Sequence, residues 1–550
     1  MTEQHFRHRS GRLSPLVVFA FVVALLAGLP VASVGFNLFL GGTSATWSHL
    51  ASTVLFEYVL NSLALCAGVG LGVAIIGIAT AWLTAMHDFP GRRIFEWALV
   101  LPLAVPAYVM AYVYTDFLQF VGPLQTALRD FFEWRRGDYY FPDIRTLPGA
   151  MLMFVFVLYP YVYLLARTAF LERAGGVLEA SRTLGIGPWR AFFTVSLPLA
   201  RPAIAAGVAL ALMETLADYG TVAYFAVNTF TTGIYRAWFS LGDRVASAQL
   251  AAMLLGFVLL LVAMERITRG RARYHNTSNR HRPPPGRLKG GAGLLAMLTC
   301  LLPLCLGFLL PAALLLRMAL GEGDTQFGER FLMLARNSFT LAGLTALIAV
   351  ALAVLLAYSA RLSKTLLSKG LNRLVGLGYA VPGTGISTPT AITVTRLDNW
   401  LSGQWEAWFG SNPGLLLTGG IAALIYAYLV RFLAVALQTV EASLSKITPS
   451  MDDAARSMGL GQGQTLRRVH VPILRGSLFT ASLLVFVDVM KELPATLVMR
   501  PFNFDTLATQ AYVLASDERL TEASTAALAI VAVGLLPLIA LSRQISRSRR

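Results

Sequence analysis

Charge is scarce in this sequence. Only 13% of its 550 residues are Asp, Glu, Lys or Arg, against 56% hydrophobic. A soluble chain of this length needs more polar surface to cover its core, so the soluble classes are excluded first. Cysteine and histidine are equally sparse. Cys66, Cys300 and Cys305 lie in apolar runs, and their odd number and spacing exclude a disulfide framework or a Cys metal site. The seven histidines are scattered, with no H-x-x-x-H pair. No G-x-x-x-x-G-K-[ST] segment occurs, so the chain cannot cradle ATP phosphates by a P-loop. No nucleophile–base pair or metal cluster supports an integral membrane enzyme.

What is abundant is long apolar sequence, with a mean hydropathy of +0.62. About 20 apolar residues cross a bilayer as a helix. Candidates fall near 14–40, 58–85, 95–118, 147–168, 201–222 and 249–266, then near 292–318, 338–360, 372–395, 413–437, 475–497 and 523–542. The first run, Leu13 to Leu40, is longer than a signal-peptide core and has no clear cleavage exit, so it reads as a retained membrane helix. The net charge of +16 is confined to short segments between these runs, which speaks for topology and against nucleic acid. Arg7, Arg9 and Arg12, the cluster from Arg266 to Lys289, and the tail from Arg543 to Arg550 fall on one side if there are twelve crossings. The positive-inside rule makes that side cytoplasmic, with both termini there. The outer loop at 116–146 mixes Arg129, Arg135, Arg136 and Arg145 with five acids.

The segment 267–290, with Pro283-Pro284-Pro285-Gly286 among basic residues, reads as a cytoplasmic linker. It separates 1–266 from 291–550, and the two parts are repeats. Asn61-Ser62 recurs as Asn337-Ser338, Ala81-Trp82 as Ala357-Tyr358, and Val105-Pro106 as Val381-Pro382, all at an offset of 276. Gly185 and Gly459, Pro198 and Pro472, and Phe230 and Phe504 match at 274. The expected fold is an all-α polytopic membrane protein of about twelve transmembrane helices. Six crossings per repeat make the repeats parallel rather than inverted.

Between the fourth and fifth crossings of each half lies a similar loop, at about 170–200 and 440–474. The first runs Glu179-Ala180-Ser181, then Gly185, then Leu197-Pro198. The second runs Asp453-Ala454-Ala455, then Gly459, then Val471-Pro472. Each reads as a short helix stopped by a glycine at C′, a turn, and a second helix entered through a proline. This resembles the EAA loop of binding-protein-dependent ABC importer permeases, with Ser for one Ala in the first copy, and Asp for Glu and Val for Leu in the second. In that family the short helix couples an ATP-binding subunit to the membrane helices. The resemblance implies a type I importer-like permease without a cofactor of its own, in the cytoplasmic (inner) membrane. ATP and Mg would be used by two copies of a separate P-loop subunit, and an external binding protein would deliver the solute.

The segments Leu101–Val109, Leu216–Phe225, Thr229–Trp238, Lys491–Thr496 and Arg500–Thr509 are similar to ferric-iron importer permeases, a family that commonly fuses two permease domains. That implies ferric iron, with thiamine, polyamine, sulfate or phosphonate as alternatives. A twelve-helix secondary transporter is the rival class. From the residues alone, Glu214 and Asp218, and Asp488 and Glu492, stand four apart in the fifth crossing of each half, a spacing that shares a helical face. Acids there are costly and point to a water path or a bundle interior. They could line an acidic conduit for a hard cation, or lock the bundle, with Lys491 pairing with Asp488. Pro106 and Pro382 could break the third crossings beside a cavity.

Overall fold

The structure is a computed structural model describing residues 15–40, 45–135, 137–183, 187–269, 286–321, 328–363, 366–380, 383–445 and 447–547. In the first half these form α1 (Pro15–Leu40), α2 (Leu55–Met86), β1 (His87–Asp88), α3 (Arg92–Ala98), α4 (Ala107–Leu118), α5 (Pro123–Phe132), α6 (Leu147–Thr183), α7 (Leu197–Ala217), α8 (Gly220–Tyr224), α9 (Phe230–Tyr235) and α10 (Arg244–Arg269). In the second half they form β2 (Gly286–Arg287), α11 (Gly291–Gly321), α12 (Glu329–Ser363), α13 (Leu366–Leu377), α14 (Gly383–Phe409), α15 (Ala422–Leu444), α16 (Pro449–Ser457), α17 (Val471–Met490), α18 (Pro494–Met499), α19 (Leu507–Ser516) and α20 (Leu520–Arg547). Runs this apolar have only their own backbone to satisfy N–H and C=O groups in hydrocarbon, which dictates helices. The one ladder described is parallel, with His87 beside Gly286 and Asp88 beside Arg287. It ties the loop after α2 to the entry into the second half.

Among the described residues nine helices are long and apolar enough to span a membrane, and ten if one bent pair counts as a span. The two remaining candidates differ from unbroken spans. In α1 the apolar part is Pro15–Pro30, and the region near 372–395 is divided between α13 and α14. The bent pair is the third crossing of the first half, Arg92–Ala104 and Ala107–Phe132, which meet at 91°. Pro106, extended at φ −61° and ψ 143°, stands in the break, as a residue without an N–H would. Pro382, its repeat mate, lies outside the described residues.

In each half the second, fourth and fifth crossings pack as a triad: α2, α6 and α7, then α12, α15 and α17. Close packing there uses small residues: a Cβ on Gly77 of α2 would fall 2.6 Å from Val162 Cβ on α6. The first crossings interlock the halves. α1 packs on α10 of its own half and on α12, α13 and α14 of the other, while α11 packs on α20 and on α2, α3, α4 and α6.

Backbone-directed polar contacts repeat as well. Asn61 Nδ2 donates to Asn228 O at 2.9 Å and Asn337 Nδ2 to Asp505 O at 3.0 Å. The amide of Thr229 is bonded by the Thr232 hydroxyl at 2.8 Å, and that of Thr506 by Thr509 at 2.9 Å, in matching capping boxes. These boxes set the local offset to 277 and correct the pairing of Phe230 with Phe504. Phe230 opens α9 inside its box, whereas Phe504 precedes Thr506 in a loop. Three extra residues before the second box displace the match.

Candidate functional site

α7 and α17 both end inside the bundle, and a cavity of about 100 Å³ lies where they meet. That is room for roughly three waters. Glu214, Asp218, Asp488, Glu492 and Pro106 all line it, as do Arg431, Lys491 and Tyr161. The spacing of four does not place each acid pair on one helical face, which corrects the sequence expectation. Glu214 and Asp488 are helical, but α7 stops at Ala217 and α17 at Met490. Asp218 is extended, at φ −73° and ψ 137°, and its Oδ1 accepts the Thr221 N–H at 2.8 Å. Glu492 accepts the Ala495 N–H at 3.1 Å and the Thr496 N–H at 3.4 Å. Each acid thus takes up donors left bare at the start of a short helix, α8 or α18. That backbone demand, absent from a helical-wheel argument, ends the longer helix before the second acid.

The lining is also not purely acidic. Arg431, on α15, reaches Glu492 Oε1 at 3.1 Å and Glu214 Oε2 at 3.7 Å, joining the halves. Lys491 Nζ lies 3.0 Å from Asp488 Oδ1. The Tyr379 hydroxyl donates to Glu214 Oε1 at 2.7 Å. Arg431 was missed in the sequence, although an arginine inside an apolar run is itself a signal of a bundle-facing charge. Among the described residues no group of three or more His, Cys, Asp or Glu could hold a metal ion. A larger cavity of about 660 Å³ adjoins, lined by Asn372, Arg373, Gln438 and Glu441 among others. Tyr161 lines both cavities.

The two expected docking loops fare differently. The second is described throughout except position 446. α16 carries Asp453 and Ala454 on an exposed face and buries Ala455. The Gly459 N–H bonds Arg456 O at 2.9 Å and the Leu460 N–H bonds Ala455 O at 3.0 Å. This double bond pattern requires a left-handed residue at C′, and Gly459 has φ +79°. A π turn, Leu466–His470, then leads into α17 at Val471 and Pro472. In the first loop, Glu179, Ala180 and Ser181 are on the final turns of α6, which runs unbroken to Thr183. Pro449 explains the difference, because it forces a break after α15. The first half has Gly175 at the matching position. Gly185 lies outside the described residues, and Leu197 and Pro198 open α7.

Interlocked helical halves around a charged cavity define a polytopic solute-translocating membrane protein. Residues 74–274 match the family described as binding-protein-dependent transport system inner membrane component. The chain is 27% identical over 495 residues to the Fe(3+)-transport system permease protein FbpB 2 of Haemophilus influenzae, covering 88% of this chain and 90% of that one. It is 22% identical over 529 residues to the ferric transport system permease protein FbpB of Actinobacillus pleuropneumoniae, covering 91% and 72%. To the molybdenum transport system permease protein ModB of Escherichia coli it is 32% identical over 213 residues, covering 36% of this chain and 87% of that one. The chain belongs to the family of binding-protein-dependent transport system inner membrane components, as the permease subunit of an ABC importer.

Proposed function

We propose that this permease imports ferric iron through the cavity between its halves, 1–266 and 291–550. An external binding protein delivers the ion. Two copies of a P-loop ATPase, which use ATP and Mg, sit on the loops at about 170–200 and 440–474. The linker 267–290 and both termini are cytoplasmic. The observation that carries the solute is the convergence of Glu214, Asp218, Asp488 and Glu492 on one cavity, four carboxylates against the two cations Arg431 and Lys491. A formal excess of negative charge, carried by carboxylate oxygens, suits a hard cation. The similarity to a Haemophilus Fe(3+) permease over nearly the whole chain supports the same reading. For docking, the support is the exposed face of α16, where Asp453 and Ala454 are exposed and Met458, just past its C-terminal end, is 70% exposed.

Arg431 and Lys491 favour a second reading, an oxyanion such as molybdate or sulfate, held by the cations instead of the acids. One experiment separates them. The permease is reconstituted with its ATPase and binding protein, and uptake of labelled ferric iron and of labelled molybdate is followed. Iron uptake that needs ATP and drops in Glu214→Ala with Asp488→Ala is the expected result. Molybdate uptake lost on Arg431→Gln would replace it with the second reading. Uptake by the permease alone, driven by an ion gradient, would overturn the importer assignment for this chain.

A further inference from the structure

One turn of α12 holds the whole second docking loop. Arg361 Nε and Nη2 bond Asp452 Oδ2 at 2.9 and 2.8 Å. The same guanidinium donates to Leu444 O at 3.0 Å, to Ile447 O at 2.9 Å and to Thr448 O at 3.4 Å. It therefore occupies the C-terminal end of α15, where carbonyls are bare and a cation is favoured. Asp452 lies in the first turn of α16, where an anion is favoured. Its other oxygen, Oδ1, accepts from His470 Nε2 at 2.7 Å. His470 is fully buried, and its ring packs edge-on against Tyr358, 5.3 Å away. Tyr358, one turn before Arg361, donates to Gln462 O at 2.8 Å. Burial alone would raise the Asp452 carboxyl, but the bonds from Arg361 and His470 outweigh it and hold it below the ordinary carboxylate range.

The first half does not repeat these residues. At the repeat offsets Arg361 answers to Ala85, Asp452 to Leu178 and His470 to Ser196. The Ser196 hydroxyl is buried without a hydrogen-bond partner among the described residues. Tyr358 answers to Trp82, which packs on Phe170 at 5.2 Å and on Phe192 at 4.7 Å in an aromatic cluster. Aromatic packing tolerates sliding. A guanidinium that gives two N–H bonds to one carboxylate oxygen, with a histidine on the other oxygen and three carbonyls on the guanidinium, is held from several sides at once.

We propose that Arg361, Asp452 and His470 form a rigid joint through which α16 moves α12, α15 and α17 as one body, so that the second docking loop transmits the ATPase stroke more stiffly than the first. The three are positioning residues, facing inward behind the docking face. The proposal rests on the assignment of α16 as an ATPase-docking helix, and the test keeps the two apart. In the reconstituted importer, a Met458→Cys variant is first cross-linked to the ATPase; no cross-link at any nucleotide state sinks the docking assignment itself. With the cross-link established, transport per ATP hydrolysed is measured for Asp452→Asn, Arg361→Gln and His470→Gln. The expected result is unchanged cross-linking and a fall of about fivefold or more in that ratio, within the range of measured site-to-site couplings. Ser196→Ala, the matching change in the first half, leaves the ratio unchanged. If Asp452→Asn lowers the yield of folded protein, His470→Gln, which keeps the Arg361–Asp452 bridge, carries the reading. Wild-type ratios in all three variants, or an equal fall in Ser196→Ala, overturn the joint.

Discussion

The two halves share their backbone-bound polar groups and differ in the charges of their side-chain pairs. Asn61 and Asn337, Asp218 and Glu492, and the two threonine capping boxes do the same work at repeat-related positions. In the cavity, by contrast, the first half supplies only acids, Glu214 and Asp218, while the second adds Arg431 and Lys491 to Asp488 and Glu492. The residue answering to Lys491 is Ala217. A second polar pair is altered in charge. Glu96 and Arg167 form an ion pair at 3.6 Å between α3 and α6, and their repeat mates Asn372 and Glu441 form a hydrogen bond at 2.5 Å between α13 and α15. A buried backbone donor or acceptor needs a partner whatever the solute, so its partner persists through duplication. Charges facing a cavity or a loop are not bound by that demand and are free to diverge.

The largest effect is expected where that divergence is deepest. Arg431→Met removes the cation that joins Glu214 of one half to Glu492 of the other. Glu492, with its side chain only 2% exposed, is then a buried charge without its ion pair. Breaking a buried pair from one side costs about 3–5 kcal/mol. The thermal midpoint in detergent should fall steeply, and Glu492→Gln added to Arg431→Met should restore much of it. An additive double mutant would mean that Arg431 does not pair with Glu492.

A smaller loss is expected midway along α14, at Asp398. Asp398 is fully buried and accepts from Leu416 N at 2.8 Å, Leu417 N at 3.0 Å, Thr418 N at 2.8 Å and the Thr418 hydroxyl at 2.6 Å. Its repeat mate is Gly122, so the equivalent loop of the first half is built otherwise. Asp398→Ala strands those donors and should cost about 1–3 kcal/mol, read as loss of hydrogen-exchange protection at 415–418. Unchanged protection would show that the loop is held by packing alone.

Asp398 also marks what the sequence could and could not convey. The helices, their repeat and the acids of the cavity were legible, because apolar length, internal offset and charge inside an apolar run each carry a direct physical cost. The ends of α7 and α17 were not, since a spacing of four says nothing about where a helix stops. Those ends depend on Asp218 and Glu492 meeting backbone donors of α8 and α18, a contact fixed by folding. The Arg361–Asp452–His470 joint was invisible for a similar reason: its members are 91 and 18 residues apart. The glycine stop was legible, and Gly459 can be tested directly. Gly459→Val should cost about 1–2 kcal/mol, since a branched side chain resists φ > 0, while Gly459→Asn should be nearly neutral. Circular dichroism and protease access at 457–461 would report it. Equal effects of Val and Asn would point to side-chain bulk, although nothing lies within 4 Å of a Cβ there.

The smallest expected effect gives the sharpest test of likeness. Asn61 and Asn337 each donate one hydrogen bond to a loop carbonyl, at 2.9 and 3.0 Å, and each is part-buried. Asn61→Leu and Asn337→Leu should each cost about 1 kcal/mol, the usual net worth of such a bond. More important, the two costs should agree within about 0.5 kcal/mol and add in the double variant, because the sites are distant and share no partner. Thermal midpoints of the two single variants and the double variant, at one detergent and lipid composition, would measure this. A twofold imbalance would mean that the halves differ in their backbone framework as well as in their charges, and the stiffness assigned to the second docking loop would then belong to its whole half and not to one joint.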